Sequence, residues 1–107
     1  MDASLRVVKG PFSGETILLA PGKLLIGREK DCDLQLEDKQ VSRRHAAVEL
    51  SAERVILCDL GSANGTWVGG LRVSAVPLMD GGHFQIGASE IVLLAHPENV
   101  PASPGVA

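Results

Sequence analysis

Apolar residues in this chain come in short runs that alternate with polar ones, and nowhere do they hold a 3.6-residue period for three helical turns. A period of two turns one face of an extended strand toward a core and the other toward water. The spacing predicts strands over Leu5–Lys9, Glu15–Leu19, Lys23–Ile26, Leu34–Leu36, His45–Leu50, Val55–Asp59, Thr66–Val68, His83–Ile86 and Glu90–Leu94. Turn-forming residues separate them at Gly10-Pro11, Pro21-Gly22, Ser51-Ala52-Glu53, Gly69-Gly70 and Asp80-Gly81-Gly82. Many short strands with no crossover helices argue for an all-β fold, a two-sheet antiparallel β-sandwich.

A chain of 107 residues suits one domain and is too short for two with separate cores. The strand pattern stops after Leu94, so the folded domain is expected over residues 1–95. Residues 96–107 carry three prolines among small residues and read as a flexible tail or linker. Phe12, Trp67 and Phe84 are the only aromatics. The core must therefore be built from Val, Ile, Leu and Ala, and a stacking platform for nucleic-acid bases is not expected. A net charge of −3 argues against non-specific binding to nucleic acid or to an anionic membrane. No apolar run approaches the ~18 residues of a membrane span, and no charged-then-apolar leader opens the chain. A cytoplasmic location follows as an expectation, with Cys32 and Cys58 as free thiols and Cys58 a small buried residue in mid-strand.

Three polar islands fall between the strands: Gly27-Arg28, then Ser42-Arg43-Arg44-His45, then Asn64-Gly65-Thr66. Arginine, serine and asparagine side chains there are mostly hydrogen-bond donors, with no general base and no metal ligand among them. Such a set suits a multiply charged oxyanion, and a phosphate monoester brings about −1.5 to −2 charge and three strong acceptor oxygens. Between Lys23 and Arg44 lie six of the ten basic residues (Lys23, Arg28, Lys30, Lys39, Arg43, Arg44), beside Glu29, Asp31, Asp33, Glu37 and Asp38. An anion site there depends on how these charges are sorted in space. Taken singly, each island has a plainer reading. Arg28 pairs with a neighbouring acid, Ser42 bonds its own backbone in a turn, and Asn64-Gly65 is a loop. Alternation sends Arg43 and Arg44 to opposite sides. His45 opens the apolar run Ala46-Ala47-Val48 and is expected to point inward. The histidines His45, His83 and His96 have no metal-ligand spacing, and no nucleophile stands near a base, so neither catalysis nor a cofactor is expected.

Taken together, Gly-Arg, Ser-x-x-His and Asn-Gly-Thr in this order resemble the pattern of the forkhead-associated (FHA) domains, over roughly Leu5 to Ala95. The resemblance implies a β-sandwich with ligand loops at one end. It also implies a non-catalytic module that binds phosphothreonine-containing peptides or proteins in a signalling system with a Ser/Thr kinase. By the same resemblance Arg28, Ser42 and Arg43 contact the phosphate or the peptide, and Asn64 holds the peptide main chain. Gly27, His45, Gly65 and Thr66 then support the site. Many family members carry Thr or Ser before the asparagine, where this chain has Ala63. Two other readings stay open: a sandwich that docks an unphosphorylated partner, and a regulatory domain cut from a larger enzyme.

Overall fold

In the computed structural model, which describes residues 2–52 and 54–96, strands account for all the regular structure. In chain order they are β1 (Asp2–Lys9), β2 (Thr16–Leu19), β3 (Gly22–Gly27), β4 (Leu34–Gln35), β5 (Ala46–Ser51), β6 (Arg54–Asp59), β7 (Thr66–Val68), β8 (Leu71–Val73), β9 (Ala75–Leu78), β10 (His83–Ile86) and β11 (Ser89–His96). They form a six-stranded sheet, β2-β1-β11-β10-β7-β8, and a five-stranded sheet, β4-β3-β5-β6-β9. The expected sandwich is thus the observed one. Of the tail expected over 96–107, residues 97–107 lie outside the described residues, and β11 carries the folded part to His96 rather than Ala95.

The period-two pattern explains the core. Leu5, Val7, Phe84, Ile86, Ile91 and Leu93 line the inner face of the larger sheet, and Leu24, Ile26, Val48, Leu50, Val55 and Leu57 line the other, all of them buried. Each such side chain contributes roughly 1.5–3 kcal/mol on leaving water, which lets an aliphatic core with one buried Phe hold the layers together.

Three features depart from the sequence reading. Strands β8 and β9 were not expected, because β8 is three residues long and β9 contains Pro77. As an edge strand, β9 tolerates a proline that lacks a ladder N–H. Second, all pairings are antiparallel except β3 with β4, where Ile26 faces Leu34 and Gly27 faces Gln35 in parallel. A tight loop allows this return: the Cys32 N–H bonds the Glu29 carbonyl at 3.1 Å, and the Asp33 carboxylate takes the Leu25 N–H at 2.8 Å. Third, both thiols are free, but Cys32 is the buried one and Cys58 is only half-buried.

Register brings the three polar islands to one end. In the five-stranded sheet Ala46 faces Ile26 on one side and Asp59 on the other, so Gly27, His45 and Leu60 emerge together. The His45 N–H bonds the Ile26 carbonyl, and the Leu60 N–H bonds the His45 carbonyl, each at 2.9 Å. In the other sheet Thr66 faces Ile86, which places the third island across the sandwich at the same end.

Candidate functional site

His45 is the post on which this end is built. Its side chain is 0 % exposed. Nδ1 accepts the Ser42 N–H at 3.0 Å, while Nε2 lies 2.8 Å from the Gly65 carbonyl oxygen. Since the first partner can only donate and the second can only accept, the ring is the neutral tautomer with its proton on Nε2. One side chain thereby fixes the second island to the third.

Gly27 and Gly65 make room for that crossing. A Cβ on Gly27 would sit 2.1 Å from the Arg43 carbonyl oxygen and 2.9 Å from the Cys32 sulfur. Gly65 has φ of +94°, and a Cβ there would meet the Arg72 and Trp67 side chains at 2.8–3.0 Å. The thiol of Cys32 donates to the same Arg43 carbonyl at 3.3 Å, and burial, with Asp31 adding to it, pushes that thiol's pKa up, keeping it a neutral donor.

Three of the four candidate ligand-binding side chains, Arg28, Ser42 and Asn64, are anchored at one point and open at another. Arg28 gives its Nε–H to the Val41 carbonyl at 3.0 Å, and its terminal nitrogens make no bond among the described residues. Ser42 Oγ accepts the Ala63 N–H at 3.1 Å, which leaves its own proton to donate. Asn64 gives an amide N–H to the Gln40 carbonyl at 2.8 Å, leaving its side-chain oxygen free among the described residues. Arg43 is exposed and makes no ion pair among the described residues, whereas Arg44 is held by Asp31 at 2.8 Å and reaches Glu29 at 3.9 Å. The two arginines therefore divide: Arg44 is engaged with acids and Arg43 is available.

The neighbouring carboxylates are drawn off Arg28. Asp31 and Glu29 face Arg44, and Asp33 is bonded to β3. Asp38 takes the N–H groups of Gln40 at 2.9 Å and Ala88 at 3.0 Å, and these bonds hold its pKa below the usual carboxylate value. The plain ion-pair reading of Arg28 is not what the structure contains among the described residues.

The third loop rests on Asp59, the last residue of β6. Asp59 accepts the Ser62 hydroxyl at 2.6 Å, the Thr66 hydroxyl at 2.7 Å, and the N–H groups of Gly61 and Ser62 at 3.0 Å. Burial pushes its pKa up, but these four bonds outweigh that and hold it low. Ser62 Oγ in turn takes the Gly65 N–H at 3.0 Å, and Arg72 closes the loop on the Ser62 carbonyl at 3.0 Å. The local signal for Asp59 was legible as an Asx turn, Asp-Leu-Gly-Ser, and Asp38-Lys39-Gln40 is another. Arg72 had no local signal, because its partner is ten residues away.

A two-sheet sandwich with donors grouped on loops at one end defines a ligand-binding module whose site is built on a rigid frame. The FHA domain family model matches residues 24–87, and the chain belongs to that family. It is 38% identical over 98 residues to the glycogen accumulation regulator GarA of Mycolicibacterium smegmatis, a match covering 92% of this chain and 62% of that protein. The oxoglutarate dehydrogenase inhibitor of Corynebacterium glutamicum is 37% identical over 90% of this chain and 67% of its own length. A solved structure from work on phosphothreonine-dependent FHA domain interactions superposes with a TM-score of 0.83 and 36% identity, covering 91% of this chain and 99% of that one. The chain thus spans about three-fifths of the curated relatives it matches first.

Proposed function

We propose that this chain reads phosphothreonine on partner proteins and acts by binding rather than by catalysis, in a system where a Ser/Thr kinase writes the mark. The carrying observation is the pairing of anchored and open ends at Arg28, Ser42 and Asn64 around one rim, with Arg43 beside it. Arg28 and Arg43 supply charge, Ser42 supplies a hydroxyl proton, and the Asn64 amide meets the peptide backbone. Gly27, His45, Gly65 and Thr66 keep the loops in place without touching ligand. Ala63 removes a hydroxyl that many relatives have, but its N–H orients Ser42 Oγ, so the backbone at this position still serves the site.

The relatives' names point the same way: one is a regulator and another an inhibitor of an enzyme. Residues 1–95 form the binding domain in this reading, working in the cytoplasm on ligands supplied by other proteins.

The test is calorimetric titration with matched peptides carrying phosphothreonine, phosphoserine or plain threonine. Phosphothreonine is expected to bind best. Burial of its methyl is worth about 0.8 kcal/mol, or roughly fourfold, over phosphoserine. Arg28→Ala is expected to weaken binding at least about tenfold, since a charged hydrogen bond contributes about 1.5–3 kcal/mol. Equal affinity for phosphorylated and plain peptides would replace this reading with a phosphate-independent docking module.

A further inference from the structure

Beside the rim lies an open hollow of about 650 Å³ that is lined in part by Arg28, so it adjoins the place where a phosphate held by Arg28 would sit. Three cations line it, Arg28, Lys30 and Lys39, together with the acids Glu29, Asp31 and Glu37. Those acids are not equivalent. Arg44, outside the hollow, bonds Asp31 and reaches Glu29, leaving only Glu37 without an ion-pair partner among the described residues. Lys30 and Lys39 are exposed and likewise unpaired among the described residues. With Arg44 counted, four cations face three acids, so on a molecule of net charge −3 this surface beside Arg28 carries one net positive charge.

The frame under it is fixed. Gln35 Nε2 holds the Arg28 carbonyl at 3.2 Å, and Asp38, next to Lys39, is bonded to Gln40 and Ala88. Gln40 in turn holds Asn64. Lys39 therefore stands one residue from a group that positions the rim, exposed on the wall of the hollow.

Resting on the phosphothreonine reading above, we propose that this hollow binds a second anionic group of the same ligand, a carboxylate or phosphate close to the phosphothreonine in sequence. The preferred ligands are acidic or multiply phosphorylated segments, and Lys30 and Lys39 are specificity-determining residues. Arg44 serves this role indirectly by occupying the acids that would otherwise cancel the lysines.

The test uses the full chain and a phosphothreonine peptide with neutral flanks, compared with versions carrying glutamate, or phosphoserine, at each flanking position in turn. At least one acidic position is expected to tighten binding about fivefold, the scale of exposed ion pairs. In Lys30→Gln/Lys39→Gln that advantage is expected to vanish, while the neutral-flanked peptide binds as before and thermal unfolding is unchanged. A gain with glutamate assigns a carboxylate ligand; a gain with phosphoserine alone assigns a second phosphate. If wild-type protein binds neutral and acidic peptides equally while Arg28→Ala abolishes both, the hollow has no such role. If no phosphothreonine peptide binds wild-type protein, the phosphothreonine reading fails first and this one with it.

Discussion

At the end of the sandwich that carries Arg28, Ser42 and Asn64, side chains bond to backbone groups far away in sequence: Arg28 to Val41, His45 to Gly65, Asn64 to Gln40, Asp38 to Ala88. At the opposite end the turns close mainly on themselves. The Gly82 N–H bonds the Met79 carbonyl at 2.8 Å, and the β5–β6 hairpin turns through Ala52, a non-glycine residue at φ of +52°. The further bonds there tie the Asp80–Gly82 turn to the neighbouring strand β11: the Asp80 carboxylate takes the Ala95 N–H at 2.9 Å, the Gly81 N–H bonds the Leu93 carbonyl at 2.7 Å, and the Leu93 N–H bonds the Gly82 carbonyl at 2.9 Å. The difference shows where order has been concentrated: cross-loop bonds pre-position donors that a ligand would otherwise have to immobilise on arrival. A plain turn needs only to reverse the chain.

If that contrast is right, the largest losses come from the posts of the loop end. His45→Ala leaves the Ser42 N–H and the Gly65 carbonyl without partners in a buried site, and is expected to cost about 3 kcal/mol of folding stability in chemical denaturation. Gly27→Ala forces the Arg43 backbone aside and is expected to cost about 2 kcal/mol, with peptide affinity falling in parallel. Loss of affinity without loss of stability in either variant would mean that these residues touch ligand rather than frame.

Asp59 gives a smaller, pH-dependent effect. Its pKa is held low in the folded protein, so its contribution is present in full above the unfolded value of ~3.9 and is lost as pH falls through the folded value. Asp59→Asn should destabilise by about 1–2 kcal/mol at neutral pH, because an amide cannot accept all four bonds. The gap between wild type and variant should close in denaturation curves recorded well below pH 4. A gap that stays constant with pH would show that shape, not charge, is what Asp59 supplies.

The two adjacent arginines divide the same end more finely. Arg43→Ala is expected to weaken phosphopeptide binding about fivefold, and Arg44→Ala less than about twofold, since Arg44 is spent on Asp31 and Glu29. Equal losses by calorimetry would erase the distinction. The smallest effect belongs to the opposite end. Ala52→Gly relieves a left-handed backbone and is expected to gain about 0.5–1 kcal/mol, raising the melting temperature by a few degrees with affinity unchanged.

Most of the frame was legible in the sequence because a sandwich is written in a period of two and in turn residues, both of them local. The strands that escaped were those in which this code is weakest: β8, three residues long, and β9, whose Pro77 is tolerated because β9 is the edge strand of its sheet among the described residues. The parallel return of β4 escaped for a different reason. It depends on Asp33 bonding Leu25 across eight residues, which no alternation reveals. At the site, the islands announced the donors, but not which would stay open. That Arg44 and not Arg43 takes the acids, and that Asp59 and Arg72 brace the Asn64 loop, are facts of three-dimensional sorting.

The most direct measurement is an amide NMR titration of the full chain with a phosphothreonine peptide and its unphosphorylated twin. Shift changes concentrated on the loops at this end, at the amides of Arg28, Lys30, Lys39, Ser42, Arg43, Ala63, Asn64 and Gly65, absent at Ala52 and Gly82 and absent with the twin, are the expected result. Changes centred on the opposite end, or identical for both peptides, would contradict a phosphate-reading site on these loops.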